Sequence, residues 1–385
     1  MDLKYYNSYA EVDLDVLRDN FAKVKAHIGP SQGFIPVVKG NAYGMGTLPI
    51  ARMLIEDCGV TVLGNAQIFE AAQIREAGYE DVDILIMGAA PFHAIPYAVK
   101  YRLQLPLFNK ECALALSKAA RDQGVSRIEA QIKVETGLNR IGARPGQQLA
   151  ELLDCIRECG NIEIVGCFTH FAHSTEYNNP FTEEQYQLFV QGVEQIKAAG
   201  WSNMRYIHCA NTGATVWFEK AKEICTHVRN GSLYLGYSSM DDYSNPLNVK
   251  EPFSWRAFIT NIHEIGPGES LGYNRYFKPD KPTTVATVSI GYGDGFYRPL
   301  AMNFGPVLVN DTRTRYLGIC MDQTFVDVTG IDCKLGDEVT IFGYSKGGEL
   351  LSAFELERFT GQSFVYPICS PNQRVLRVYK GEKTK

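Results

Sequence analysis

An apolar run meets a glycine-rich loop at Ile35-Pro36-Val37-Val38-Lys39-Gly40-Asn41-Ala42-Tyr43-Gly44-Met45-Gly46. The apolar half is typical of a buried strand, and Lys39 stands where that strand gives way to the loop. An amine at such a place is partly desolvated, which lowers its pKa and frees it to attack an aldehyde. The alternative is a lysine whose apolar stem packs on the strand end while its ammonium reaches water.

Similar apolar segments recur eight times between residues 34 and 231 and alternate with helical patterns. The first helix carries its apolar residues on one face and has Asp13 as a cap. The predicted strands are residues 34–39, 61–64, 83–88, 103–108, 128–134, 162–168, 205–209 and 227–231. The fourth is the weakest pattern, because it is short and contains Pro106. Eight β and α units in alternation predict a parallel sheet closed into a (β/α)8 TIM barrel.

The pattern changes after about residue 240, where residues 241–246 resemble a linker. Beyond it, short alternating segments and glycine turns predict a C-terminal, mostly-β domain. Its clearest strands are residues 283–290, 306–309, 324–328 and 338–342, with a helix over 350–360. We therefore predict an α/β chain with a barrel over residues 13–240 and a β-rich domain over 241–385, joined by residues 1–12.

The composition is that of a soluble enzyme, with 45% hydrophobic and 21% charged residues among 385. Two domains, or one large barrel with an appendage, suit this length. No apolar run approaches the ~20 residues that span a bilayer, and the first residues lack a signal-peptide pattern, so we expect a cytoplasmic protein without a membrane partner.

The net charge of −5 and the absence of a basic cluster argue against binding of nucleic acid. Ten scattered cysteines without a C-x-x-C pair predict reduced thiols and no metal site.

Polar residues follow several predicted strands, at the end of the barrel where chemistry collects. They are Lys39, Lys133, Arg140, His170, Asn211, Thr212, Arg229, Asn230, Gly231 and Ser232. The loops after the seventh and eighth strands often bind phosphate in barrels, so this set suits a phosphorylated cofactor such as pyridoxal phosphate (PLP). Each residue can also be purely structural: a core histidine for His170, an ion pair for Arg229, and a helix cap for Thr212.

The chain resembles the alanine racemase family of PLP enzymes through motifs that occur in order along both domains. They are VVKGNAYG (37–44), IKVETGLNRIG (132–142), THFA (169–172), HCANT (208–212), VRNGSLY (228–234), SLGYNRYF (270–277), IGYGDGF (290–296) and CMDQ (320–323). The resemblance implies a head-to-tail homodimer in which Tyr273 and Met321 of one subunit complete the partner's site. It further implies a small amino acid as substrate and the supply of a D-amino acid for the cell wall.

By the same resemblance, Lys39 holds PLP and acts as one base, while Tyr273 acts as the second base on the other face of the substrate. Arg229 would donate to the pyridine nitrogen, and Arg140 would bind the phenolate side of PLP or the substrate carboxylate. Lys133, if carbamylated, would orient Arg140. The remaining residues carried over as cofactor contacts are Tyr43, His170, Asn211, Thr212, Gly231 and Ser232.

Two departures from the family pattern leave the substrate open. Asn372 and Gln373 stand where some members have a tyrosine before an arginine, and an amide there could bind a hydroxyl group, which makes serine an alternative substrate. Leu138 and Asn139 replace a frequent Met-Gly pair, with no predicted effect. The motifs also remain compatible with a racemase of broader specificity, a barrel decarboxylase that does not need Tyr273, and a PLP carrier without turnover.

Overall fold

The computed structural model describes residues 3–383, and its chain divides into two compact units. One unit comprises Arg18–Ala42 and Thr47–Lys250, and we call it the barrel unit. The other comprises Met1–Leu17, Tyr43–Gly46 and Glu251–Lys385, and we call it the β unit. Within the described range, no helix is long and apolar enough to cross a membrane.

The barrel unit contains eight parallel strands within its described residues. They are β2 (Gly33–Pro36), β3 (Val62–Asn65), β4 (Asp83–Ile86), β5 (Leu105–Leu107), β6 (Ile128–Lys133), β7 (Ile162–Phe168), β8 (Tyr206–His208) and β9 (His227–Asn230). The first, β2, pairs with the last, β9, so the ring is closed. Parallel ladders join β3 to β4 and run from β5 through β8. Single bridges or hydrogen bonds join the remaining neighbours, including Val38 N to Gly64 O at 2.8 Å and Arg229 N to Ala210 O at 2.9 Å. The predicted barrel is confirmed.

Helices precede the first of these strands and fill the crossovers between them. The first is Leu14–Ile28, which begins in the β unit, and those in the crossovers are Thr47–Arg52, Ile68–Glu76, Ile95–Lys100, Lys110–Asp122, Gln147–Cys159, Pro180–Ala198 and Thr212–Trp217. A short π-helix, Met53–Asp57, follows the second of them. Apolar residues of the longer helices are buried, as Leu149, Leu152 and Ile156 are in Gln147–Cys159, so each helix has one face packed in the protein interior.

Pro106 lies inside β5 and limits how that strand pairs. Gln104 exchanges both backbone hydrogen bonds with β4, at 2.9 Å to Ile84 O and 2.9 Å from Ile86 N. The next donor on that side would be residue 106, and proline has no N–H. The ladder to β4 therefore stops, while β5 stays paired with β6 through Leu105–Leu107.

The β unit is built on a nine-stranded sheet within its described residues. Its strands are β1 (Ser8–Asp13), β10 (Phe253–Ile265), β11 (Thr283–Val288), β12 (Pro306–Val309), β13 (Thr312–Ile319), β14 (Thr324–Asp327), β15 (Glu338–Tyr344), β16 (Leu350–Leu351) and β17 (Leu376–Lys380). The amino-terminal β1 lies between β10 and β17. A further pairing of β10 with β15 curls the sheet into a barrel-like form.

Short helices complete the β unit at Arg298–Met302, Ala353–Thr360 and Val365–Cys369. The predicted helix over 350–360 begins three residues later than expected. Leu350 and Leu351 pair with β15, and the Ser352 hydroxyl caps the helix by accepting the Phe354 N–H at 3.1 Å. A serine cap before an apolar stretch marks the true start.

Candidate functional site

Lys39 begins a left-handed turn just beyond the end of β2. Gly40, Asn41 and Ala42 have φ of 64°, 55° and 50°, and Tyr43 continues at 53°. Left-handed backbone costs roughly 1–2 kcal/mol for each residue with a Cβ, so other groups must hold the turn. Glu70, a buried residue of the helix Ile68–Glu76, accepts the Asn41 N–H at 2.7 Å. Burial raises the pKa of Glu70, while the backbone N–H groups of Asn41 and Gly40 and the charge of Lys39 oppose that rise.

Replacing Glu70 by alanine should loosen the Lys39 turn. The Asn41 N–H would lose its hydrogen bond to a carboxylate, which costs about 1–3 kcal/mol in the free energy of unfolding. Urea unfolding measures that loss. The matched control is Glu76→Ala on the same helix, whose carboxylate has an exposed partner in Tyr101, and an equal loss in both variants would contradict the special role of Glu70.

Arg229 lies at the centre of the polar side chains inside the barrel. Its guanidinium, which is buried, donates to His208 Nδ1 at 2.5 Å, to Thr169 O at 3.0 Å and to His170 Nδ1 at 3.1 Å. It also lies over the Phe168 ring, 5.4 Å from its centroid. These contacts fix the plane of the guanidinium. The directions in which its other N–H groups point are therefore fixed as well.

Both histidines that accept from Arg229 are neutral. Burial lowers the pKa of His170 well below its ordinary value of 6.5, and burial does the same to His208. Four cationic side chains add to the shift of His170, and they are Arg229, Arg140, Lys133 and Lys39. Positive charge therefore converges on His170, and the imidazole accepts at Nδ1 instead of adding a further charge.

Lys133 ends β6 and is almost completely buried. Its ammonium donates to Val134 O at 2.9 Å and lies over the Phe168 ring. Burial lowers the pKa of Lys133 to about 7, with the charges of Arg229 and Arg140 acting in the same direction and Glu135 opposing them. Arg140 is exposed in the loop after β6.

A second group of hydroxyls lies after β8 and β9. Asn211 caps the helix Thr212–Trp217 by accepting the Ala214 N–H at 3.3 Å, and its amide donates to Phe171 O at 3.2 Å. Ser232, next to Gly231, donates to Thr212 Oγ1 at 3.2 Å. Asn211 is thus used to position Thr212, and the hydroxyls of Thr212 and Ser232 form a pair.

The other predicted site residues belong to the β unit. Tyr43 ends the left-handed turn, and Tyr273 follows Gly272 in a tight loop with φ of 71° at that glycine. Tyr273 is 73% exposed and Met321 is 54% exposed. The Asn372 amide donates to Gly293 O at 2.9 Å and accepts the Arg374 N–H at 2.9 Å, so both of its ends are used within the β unit.

Sequence reasoning assigned no role to Glu70, Phe168 or His208. His208 was visible only as the first residue of a motif, and its place inside the barrel follows from the alternation of β8. Nothing in the sequence links Glu70 to the Lys39 turn, because the contact joins residues 29 positions apart. Across residues 3–383, no group of three or more metal-ligating side chains is found.

The fold and this site define an enzyme built on a (β/α)8 barrel, with a second, β-rich unit in the same chain. Two family models match it: the alanine racemase N-terminal domain over residues 12–239 and the alanine racemase C-terminal domain over residues 253–379. The alanine racemase of Desulfovibrio desulfuricans is 32% identical over 373 residues, which cover 96% of this chain and 97% of that protein. Alanine racemase 1 of Oceanobacillus iheyensis is 33% identical over 380 residues, covering 97% and 98% of the two chains.

Solved structures give the same result. Alanine racemase from Streptomyces coelicolor superposes with a TM-score of 0.90 at 28% identity and covers 98% of each chain. Alanine racemase from Bacillus anthracis with bound L-Ala-P has a TM-score of 0.90 at 30% identity, covering 98% of this chain and 95% of that one. The chain belongs to the alanine racemase family. It is an isomerase that interconverts L- and D-alanine, as predicted.

Proposed function

We propose that the enzyme binds PLP covalently through Lys39 and moves the α-proton of alanine with two bases, Lys39 and Tyr273 of the partner subunit. The observation that carries the proposal is a pair of buried cations: Arg229, which donates to His170 Nδ1 at 3.1 Å, and Lys133, which lies over the same Phe168 ring as Arg229. So much positive charge in a partly buried space suits an anionic ligand with more than one charge.

The donor set of the barrel unit fits PLP. The hydroxyls of Thr212 and Ser232, together with the backbone at Gly231, would hold the phosphate. Arg229 would donate to the pyridine nitrogen, since a guanidinium can only donate. His170 would support Arg229 from the side, and Asn211 would act through the position of Thr212. Arg140 would bind a carboxylate or phenolate oxygen.

PLP, when bound, withdraws electrons from the α-carbon of the amino acid and makes its Cα–H bond acidic. The substrate amine would take the place of Lys39 on the cofactor, and the freed amine of Lys39 would take or return the proton on one face of that carbon. The phenol of Tyr273 would do the same on the opposite face. Because one group removes the proton while the other supplies one, the configuration inverts, and the reverse direction uses the same two groups with their roles exchanged.

The proposal requires a homodimer, because Tyr273 serves the partner subunit. Its support is the exposure of Tyr273 and Met321, which lie uncovered on a described chain whose apolar side chains are mostly buried. Exposed aromatic and methionine side chains are enriched at protein interfaces. A cytoplasmic location also remains a prediction.

Serine is a candidate second substrate beside alanine. The Asn372 amide has partners at both ends, so it has less to offer a substrate hydroxyl than the sequence suggested. Gln373 remains the residue on which a serine preference would depend.

Lys133 is predicted to react with CO₂. With a pKa of about 7, much of its side chain is an unprotonated amine at pH 7.5, and the amine adds to CO₂ to give a carbamate with release of one proton. The carbamate would then be an anion beside Arg140. A carbon-13 NMR signal of a carbamate should appear with ¹³CO₂ and be absent from Lys133→Gln; a Lys133→Gln sample that keeps the signal would contradict the assignment.

The test of the whole proposal is proton NMR in D₂O with the PLP-loaded enzyme, L-alanine and L-serine being followed side by side. Loss of the Cα–H signal together with chiral inversion is expected, faster for alanine. Faster inversion of serine would make serine the substrate, and release of CO₂ would make the enzyme a decarboxylase. If PLP is bound but neither amino acid exchanges its Cα–H, the protein would be a PLP carrier and the two-base scheme would be refuted.

A further inference from the structure

A line of buried polar side chains runs from Arg229 through the inside of the barrel. His208 Nε2 lies 2.9 Å from Gln131 Oε1, and Gln131 Nε2 donates to Gln104 Oε1 at 2.7 Å. Gln104 Nε2 then donates to Glu129 Oε2 at 2.9 Å. His208 and Gln131 are fully buried and Gln104 is nearly so. None of the three has a role in the proton transfer described above.

The two ends of this line decide the direction of every hydrogen bond in it. Glu129 is paired with Arg205 at 2.6 Å, so it is a carboxylate and can only accept. Gln104 must therefore turn its NH₂ toward Glu129 and its oxygen toward Gln131. Gln131 must in turn point its NH₂ at Gln104 and its oxygen at His208. At the other end, Arg229 can only donate.

The consequence is that His208 has a single compatible tautomer. Its Nε2 carries the proton that goes to Gln131 Oε1, and its Nδ1 offers a lone pair to Arg229. In the other tautomer two N–H groups would face each other at Arg229, and a buried acceptor on Gln131 would be left empty. Each unsatisfied buried group costs about 1–3 kcal/mol.

The barrel also leaves room for the line. A Cβ at Gly166 on β7 would lie 3.1 Å from the Gln131 side-chain carbon and 2.4 Å from Tyr206 O. A larger residue there would displace Gln131 or the strand backbone. Gly166 is thus required first by the close approach of Tyr206 and second by the Gln131 amide.

We propose that Glu129, acting through Gln104 and Gln131, is a positioning residue that holds His208 as the Nε2–H tautomer and so fixes the orientation of the Arg229 guanidinium. The effect on catalysis rests on the proposed function, in which Arg229 faces the cofactor. The effect on His208 does not, because it concerns only the protein.

The primary test is nitrogen-15 NMR of the histidine rings in the protein free of cofactor. The His208 signals are assigned by their loss in His208→Asn. In the unsubstituted enzyme Nε2 should be protonated and Nδ1 unprotonated. Gln131→Leu removes the oxygen that accepts the His208 Nε2–H. Glu129→Gln removes the carboxylate that fixes which way the Gln104 and Gln131 amides point. Both should shift the His208 signals toward a mixture of tautomers.

The matched control is Glu163→Gln. Glu163 is the neighbour of Glu129 in the register of β6 and β7, and it is paired with Arg127. This substitution also removes one carboxylate at the same level of the barrel, so it should leave the His208 signals unchanged. A general loss of packing or charge would affect all the variants alike.

A second readout is the racemisation of alanine by the PLP-loaded variants. Gln131→Leu should lower kcat by about 10-fold, the lower end of what is lost when the hydrogen-bond partner of a metal-binding histidine is removed, with KM for alanine changed much less. His208 signals identical to those of the unsubstituted enzyme in both variants would overturn the proposal, as would shifted signals with an unchanged kcat. If the unsubstituted enzyme did not racemise alanine, the proposed function would fail, and the tautomer result would still decide whether Glu129 positions His208.

Discussion

Replacing Lys39 by alanine is expected to abolish the visible absorption band of lysine-bound PLP and to lower the racemisation of alanine by at least about 10⁴-fold. The substitution removes the group that attaches the cofactor and one of the two bases, and removing a positioned base alone costs about 10²–10⁴-fold. Absorption spectra and the D₂O exchange assay measure the two effects on the same sample.

Two further variants separate attachment from charge at Lys39. Lys39→Arg keeps a positive charge in the turn but cannot form the covalent bond, so the band should again be absent. Lys118→Ala removes an exposed lysine that is paired with Asp122, and its spectrum should match that of the unsubstituted enzyme. A normal band in Lys39→Ala would refute the assignment of Lys39.

The barrel could be predicted from the sequence because each of its strands and helices can be recognised from a short stretch of neighbouring residues. Each strand is a short apolar run between turn residues, and the alternation with helices allows few other topologies. The β unit was predicted less completely. β1 and β17 come from the two ends of the chain and pair with each other, and no local pattern indicates that they are neighbours.

The site residues that stand at the ends of strands could be predicted from the sequence. Those whose role depends on contacts between distant parts of the chain could not. Lys39, Lys133 and Arg229 each stand at or just beyond a strand end and could be found by that position. Glu70 could not be found in this way, because its role depends on a left-handed turn in another segment, and nothing in the sequence of its own helix indicates that turn. The order of the amides from Glu129 to His208 likewise depends on side chains of different strands meeting inside the barrel.

Replacing Tyr273 by phenylalanine should leave the absorption band intact and lower inversion of alanine by about 10²–10⁴-fold, since only a hydroxyl that moves a proton is removed. Exchange of the Cα–H of one enantiomer should persist through Lys39. Tyr276→Phe is the control, because that hydroxyl donates to Met302 O at the end of the helix Arg298–Met302, and its loss should have little effect on inversion.

Mixed dimers decide whether Tyr273 serves its own subunit or the partner. Lys39→Ala and Tyr273→Phe chains, each nearly inactive, can be expressed together with different affinity tags and the mixed dimer isolated. If Tyr273 acts on the partner's site, one site of the mixed dimer contains both an intact Lys39 and an intact Tyr273, and about half of the normal rate returns. If Tyr273 acted within its own chain, each site would lack one base and no rate would return. A mixed dimer as inactive as its parents would therefore refute the shared site while leaving the attachment of PLP to Lys39 untouched.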